Sequence, residues 1–104
     1  MHISAQQYKQ WLDEGKVHQL IDIRENYEIE NCTLNGLHIA MADVMNQLHL
    51  LDEGDIVVHC NSGKRSDAVV FALRQKLERL NIYSLEGGIQ HFVNLYLPEQ
   101  NCAI

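Results

Sequence analysis

Asp55-Ile56-Val57-Val58-His59-Cys60-Asn61-Ser62-Gly63-Lys64-Arg65-Ser66 is the stretch from which the rest of the chain can be read. Ile56, Val57 and Val58 are an unbroken β-branched run, the pattern of a strand covered on both faces in a parallel sheet. From Asp67 the period changes, and Val69, Val70, Leu73, Leu77 and Leu80 fall at the spacing of a helix with one apolar face. Cys60 therefore stands at the carboxyl end of a strand and faces the amino end of a helix. Unpaired backbone N–H groups and the positive end of the helix dipole stabilise an anion there, and Lys64 and Arg65 add positive charge. Such surroundings favour the thiolate, the nucleophilic form of cysteine. Gly63 permits a turn closed to other residues and turns backbone amides inward as an anion nest. Asn61 and Ser62 are small, polar and suited to a turn. A buried core cysteine is the plain alternative. Strand end, polar loop, glycine, basic pair and helix start together point instead to chemistry.

Working outward, Met41 to Leu51 places Val44, Leu48 and Leu51 at helical spacing, which predicts a helix ending near Asp52-Glu53-Gly54, with Met41 and Met45 filling core gaps. Gln19 to Ile23 and Leu37 to Ala40 read as strands, with a short helical turn over Tyr27 to Glu30 between them. His2 and Ile3 begin a first strand. Ser4 and Gln7 have the spacing of a capping box opening a helix with Tyr8, Trp11 and Leu12 on its apolar face, closed by Gly15. Beyond the central stretch, Ile82 to Leu85 is a last strand, Glu86-Gly87-Gly88 a tight turn, and Ile89 to Leu95 a helix that stops before Pro98. Strands alternating with helices predict an α/β fold: a mostly parallel five-stranded sheet with helices on both faces, in one domain over residues 1–104. Ligands of such sheets bind outside the carboxyl ends of the strands, where Cys60 lies.

The chain has 104 residues, 46% hydrophobic and 21% charged, the balance of a globular protein. A formal net charge of -6 and the lack of any Lys/Arg run argue against a nucleic-acid interface. No 18-residue apolar stretch or secretory-type amino terminus is present, so the expectation is a cytoplasmic protein with no membrane partner. Cys32, Cys60 and Cys102 are odd in number and widely spaced, which predicts neither a disulfide framework nor zinc knuckles, and fits a reducing compartment. Cys32 reads as a partly buried structural cysteine, with a resolving thiol for Cys60 as its alternative use. His2, His18, His38, His49, His59 and His91 include no i, i+4 pair on a predicted helix, so neither a metal nor a cofactor is expected. His59, adjacent to Cys60 on a strand, should point to the opposite face.

Cys60-Asn61-Ser62-Gly63-Lys64-Arg65-Ser66 resembles the Cys-x-x-Gly-x-Arg-Ser active-site loop of rhodanese-like sulfurtransferases. Asp22-Ile23-Arg24-Glu25 is similar to the Asp-x-Arg-Glu segment of that family, and Leu85-Glu86-Gly87-Gly88-Ile89 to its Leu-x-Gly-Gly-Ile segment. The resemblance spans roughly residues 18 to 97. Two segments depart from it: Asn31 to Gly36 replaces the usual Gly-His-Ile-x-Gly-Ala, and His91-Phe92 stands where Ala-Trp is common. The resemblance implies a rhodanese-like fold and a persulfide carried on Cys60. Asp22 and Arg24 would hold the active-site end together, Arg24 with a lesser part in the positive field near Cys60.

The expected activity is sulfur transfer. Cys60 would be the nucleophile, Asn61, Ser62, Gly63, Lys64 and Arg65 would bind a small anionic sulfur donor such as thiosulfate or a low-molecular-weight persulfide, and a thiol, a protein or cyanide would accept the sulfur. Two alternatives stand beside it. One is a sulfur-relay or regulatory binding module without turnover. The other is a small cysteine phosphatase or arsenate reductase, whose loop has five residues between cysteine and arginine; only four separate Cys60 from Arg65, and the longer count reaches Ser66.

Overall fold

Strands form where aliphatic residues run together. In the computed structural model, which describes residues 1–100 and Cys102, these are β1 (His2–Ile3), β2 (Gln19–Asp22), β3 (Leu37–His38), β4 (Ile56–His59) and β5 (Ile82–Leu85). They join in one sheet, ordered β1-β5-β4-β2-β3, with every neighbouring pair parallel. β4 is central and all four of its residues are buried, as its unbroken apolar run predicts. Alternation divides its side chains between two layers. Ile56, Val58 and then Cys60 face one side, packed with Ile21, Ile23 and Ile82 under Val69, Val70 and Leu73 of a long helix, Lys64–Leu77. Val57 faces the other, with Ile3 and Leu85, under a helix at Ala5–Asp13 and one at Gly88–Tyr96 that contribute Ala5, Tyr8 and Phe92. With a short helix at Asn26–Asn31, these are α1 (Ala5–Asp13), α2 (Asn26–Asn31), α3 (Lys64–Leu77) and α4 (Gly88–Tyr96). Among the described residues no helix is long and apolar enough to cross a membrane.

The capping box is present: the Ser4 hydroxyl accepts from the Gln7 amide at 3.1 Å, and the Ser4 amide donates to the Gln7 side chain at 2.9 Å. Other expectations need correction. The helix expected over Met41 to Leu51 is two 3-10 turns, Met41–Asn46 and Leu48–Leu50. The Gln19 carboxamide explains the break, accepting from the Asp52 amide and donating to the Leu50 carbonyl, both at 2.9 Å. Those two groups are thereby tied to β2, and this tertiary anchor overrides the local spacing. Val44 alone in these turns is buried, while Met41 and Met45 are exposed and line a surface groove with Ala68, Val69 and Ala72 instead of filling the core. At the end of α3, Glu78 takes a left-handed conformation (φ 53°) and Leu80 is 78% exposed, off the apolar face assigned to it. Arg79 turns the chain there by donating to the carbonyls of Asp52, Glu53 and Gly54.

The cysteine count misleads as well. Cys32 and Cys102 form a disulfide, with Cα atoms 5.4 Å apart, and Cys60 is left as the free thiol. The bond packs on Ile89 and Val93 of α4. This removes the resolving role considered for Cys32, and with it the argument for a reducing compartment that rested on unpaired cysteines. Closing 70 residues of chain restricts the unfolded state strongly. Cys102→Ser should therefore lower the unfolding free energy by about 2–4 kcal/mol, and Cys32→Ser by the same amount. Urea denaturation of the oxidised protein and both variants checks this; equal midpoints would mean that the bond does not form in solution.

Candidate active site

β4 ends at His59, and the two residues at its carboxyl end part to opposite faces. Cys60 turns toward α3. Three residues on, Gly63 adopts φ +103° and caps α3, whose helical residues begin at Lys64, three earlier than the periodicity suggests. The turn directs two backbone donors at sulfur: the Gly63 amide lies 3.1 Å and the Ser66 amide 3.4 Å from Cys60 Sγ. The Ser66 hydroxyl, 3.6 Å from Sγ, completes the ring of groups around the sulfur and also reaches the Gly63 carbonyl at 3.1 Å and the Ser84 hydroxyl at 2.8 Å. Sγ thus rests on the amide end of a 14-residue helix, an arrangement suited to negative charge on one atom.

The loop is held from its other side by α4. The Ile89 amide donates to the Cys60 carbonyl at 2.9 Å and the Gln90 amide to the Asn61 carbonyl at 3.2 Å. These bonds use first-turn amides that a helix leaves without internal partners. The approach demands glycine: at Gly88 (φ +66°) a Cβ would fall 2.3 Å from the Asn61 carbonyl oxygen. The Leu-x-Gly-Gly-Ile segment is therefore part of the site's construction.

Below the sheet's carboxyl end lies a buried ionic cluster. The Arg24 guanidinium, fully buried, donates to both oxygens of Asp22 at 2.8–3.2 Å, to the Cys32 carbonyl at 2.7 Å and to the Glu28 carbonyl at 3.3 Å. Burial works against the Asp22 carboxylate, but the Arg24 bonds, with His59, hold it below the usual carboxylate range. His59 sits on this face, with Nε2 3.5 Å from Asp22 and Nδ1 3.4 Å from the Cys60 carbonyl. Burial pushes its imidazole down, against the opposing pull of the Asp22 carboxylate. Arg24 thus ties β2 to α2, and His59 packs on the face opposite to Cys60.

The predicted site residues separate into two groups. Gly63 points its amide at Sγ, and Asn61 and Arg65 are fixed in the loop. Ser62 and Lys64 are exposed on its rim. Arg65, expected to attract the donor and tie the loop, does the second: its guanidinium makes a two-pronged bond to Glu28 of α2 at 2.9 and 2.7 Å. That bond holds the Glu28 carboxyl below its ordinary value of 4.5, against the effect of burial, and raises Arg65. Sequence reasoning missed Glu28 and Ser84, and placed Ser66 in the active-site loop without giving it a role. Glu28 carried one signal, its position three residues after Glu25, whose amide it accepts at 3.1 Å. Among the described residues no three His, Cys, Asp or Glu side chains converge as a metal site.

The comparisons agree with this fold. The family model described as "Rhodanese-like domain" matches residues 4–95. A rhodanese-like domain-containing protein 8, chloroplastic, of Arabidopsis thaliana is 30% identical over 106 residues, covering 86% of this chain and 22% of that protein. An adenylyltransferase and sulfurtransferase of Drosophila virilis is 31% identical over 94 residues, covering 82% of this chain and 21% of that one. The chain thus spans about a fifth of the length of these two relatives. The crystal structure of a rhodanese-related protein from Thermoplasma volcanium superposes with a TM-score of 0.78 at 29% identity, covering 91% of this chain and 92% of that one. A five-stranded parallel sheet, the cradle around Cys60 and a family match over most of the chain lead to one assignment: the chain belongs to the rhodanese-like domain family.

Proposed function

We propose that the chain is a sulfurtransferase carrying sulfane sulfur as a persulfide on Cys60. The observation that carries this reading is the pair of amides, Gly63 and Ser66, aimed at Sγ from the amino end of α3. They support the thiolate before reaction without requiring an acid or base in contact with it. The Cys60 thiolate attacks the outer sulfur of a donor such as thiosulfate. A Cys60 S–S bond forms, the donor's S–S bond breaks, and sulfite leaves with the bonding pair. A thiolate or cyanide then attacks the outer sulfur of the persulfide, and Cys60 leaves as thiolate, ready for another cycle. Electrons and atoms balance within donor and acceptor, so the chemistry calls on no cofactor.

Cys60 has no exposed surface, so the donor reaches the sulfur only when the groups around it part. The exposed Lys64 gives the rim positive charge that draws an anionic donor. With Cys32 tied to Cys102, the acceptor thiol lies outside residues 1–104, on a small thiol or a protein. The relative described as an adenylyltransferase and sulfurtransferase supports a sulfur-handling role of this kind.

The decisive test is intact mass before and after thiosulfate. The protein should gain one sulfur atom, lose it to cyanide, and gain none as Cys60→Ser. Failure to gain sulfur from thiosulfate or a small persulfide, with hydrolysis of an aryl phosphate by the same sample, would replace the proposal with the phosphatase reading. A second prediction concerns the Glu28–Arg65 fork. Because Glu28 is held below 4.5 in the folded protein, its stabilisation is complete above that pH and fades as the pH falls through the folded value. Glu28→Gln should cost about 1–2 kcal/mol near neutrality, the low end for a charged hydrogen bond because the Arg65 side chain is 36% exposed. Its stability should also fall less steeply than wild type in acid. Chemical denaturation at a series of pH values measures both; parallel curves for the two proteins would remove the fork from the account.

A further inference from the structure

The α3 face of the central strands is aliphatic: Ile56 and Val58 on β4, Ile82 on β5. Ser84 breaks that pattern. It pairs in register with Val58, shares the face of Ile82 by alternation, and is fully buried. Branched apolar side chains suit such a position, and a hydroxyl there needs a partner. The partner is Ser66, 2.8 Å away and also fully buried.

Either hydroxyl of this bond could be the donor, and counting donors favours Ser84, whose oxygen has Ser66 as its one hydrogen-bond partner among the described residues. The Ser66 oxygen has one proton and two lone pairs. Its neighbours are Cys60 Sγ, the Gly63 carbonyl and the Ser84 hydroxyl. When Cys60 is a thiol, its S–H donates to Ser66 Oγ, and Ser66 donates to the Gly63 carbonyl. The second Ser66 lone pair then accepts from Ser84. When the sulfur is an anion it has no proton to give, and the Ser66 hydroxyl can rotate to donate to it. The Gly63 carbonyl is not orphaned by that rotation, because it also accepts from the Asp67 amide at 3.0 Å. In both states the Ser84 hydroxyl donates to Ser66.

We propose that Ser84 is a positioning residue: from β5 it holds the Ser66 hydroxyl beneath Cys60 as a donor that turns toward the sulfur whenever the sulfur is anionic. Through Ser66 it polarises the bond to a thiolate or a persulfide anion. The consequence for turnover rests on the sulfurtransferase reading; the hydroxyl relay itself does not.

The test therefore reads the thiolate directly. With the Cys32–Cys102 bond intact, Cys60 is the one free thiol, and its ultraviolet thiolate absorbance can be followed against pH with Cys60→Ser as the blank. The pH midpoint should rise by about one unit in Ser84→Ala, a fraction of the value of a hydrogen bond to a charged group. Ser84→Thr, which keeps the hydroxyl, should return it to the wild-type position. Ser66→Ala should raise it at least as far, and adding Ser84→Ala to Ser66→Ala should move it no further. The charged groups around the loop stay in place in these variants: Arg65 with Glu28 of α2, Lys64, Asp67 with His2 of β1, and the Asp22–Arg24 pair with His59. If Ser84→Ala does not fold, the near-isosteric pair Ser84→Thr and Ser84→Val reads the same difference. An unmoved midpoint in folded Ser84→Ala, or additive shifts in the double variant, overturns the proposal. No sulfur donor is involved, so a protein that takes sulfur from neither thiosulfate nor a small persulfide, hydrolyses an aryl phosphate and still shows the shift would refute the proposed function and leave the relay standing.

Discussion

The buried Arg24 guanidinium is the interaction on which the carboxyl end of the sheet depends. A fully buried arginine is tolerable only when its N–H groups are matched, and here Asp22, the Glu28 carbonyl and the Cys32 carbonyl match four of the five. The acceptors come from β2, from within α2 and from the residue just after α2, so one side chain fixes where α2 sits against the sheet. Removing such a partner typically costs about 3–5 kcal/mol because the remaining charge is stranded. The fixed position of α2 matters because α2 carries Glu28, and Glu28 holds Arg65 of the cysteine loop. The Cys32 carbonyl that Arg24 grips belongs to a residue of the disulfide, so the tether to Cys102 begins at the same point.

From that base the loop is gripped at three places by three kinds of force. An ion pair takes Arg65 toward α2. Backbone amides of α4 take the Cys60 and Asn61 carbonyls. A pair of buried hydroxyls, Ser66 and Ser84, ties the start of α3 to β5. Each grip leaves the amide side of the turn facing Sγ. The disulfide lies against Ile89, whose amide holds Cys60, so the tail that carries Cys102 and the active-site turn share a support in α4.

The parts legible in the sequence are those encoded by near neighbours. Ile56 to Val58 and the helical period after Asp67 announce the strand-loop-helix unit, and Gly63 and Cys60 follow from it by local stereochemistry. The missing parts depend on residues far apart in the chain. Glu28 meets Arg65 across 37 positions and Ser84 meets Ser66 across 18; what marks each residue locally does not name its distant partner. The Met41 to Leu51 segment failed for the same reason, since Gln19 binds Leu50 and Asp52 from more than thirty residues away. Cysteine parity failed because two of three residues can pair while the third stays free, and parity does not say which. Ser84 did leave a trace: a serine among aliphatic residues in a buried strand is a local inconsistency, and such inconsistencies concentrate at functional positions.

The direction in which Arg65 points bears on what the cradle can hold. An arginine fork suits a planar or tetrahedral oxyanion when both of its prongs face the anion. Here both prongs face Glu28, so the side chain contributes its charge at a distance while its directional bonds are used in the scaffold. What remains around Sγ is a set of single groups converging on one atom: two amides that donate to it and one hydroxyl free to turn toward it once the sulfur is anionic. Single donors on one atom match an anion whose charge sits on one or two sulfur atoms better than one spread over three outer oxygens. The short spacing from Cys60 to Arg65 reaches the same end by a second route, since four intervening residues leave less room in the turn than five. Loop length and the Glu28 fork are independent features of the chain, and both support the proposed sulfurtransferase over the phosphatase reading.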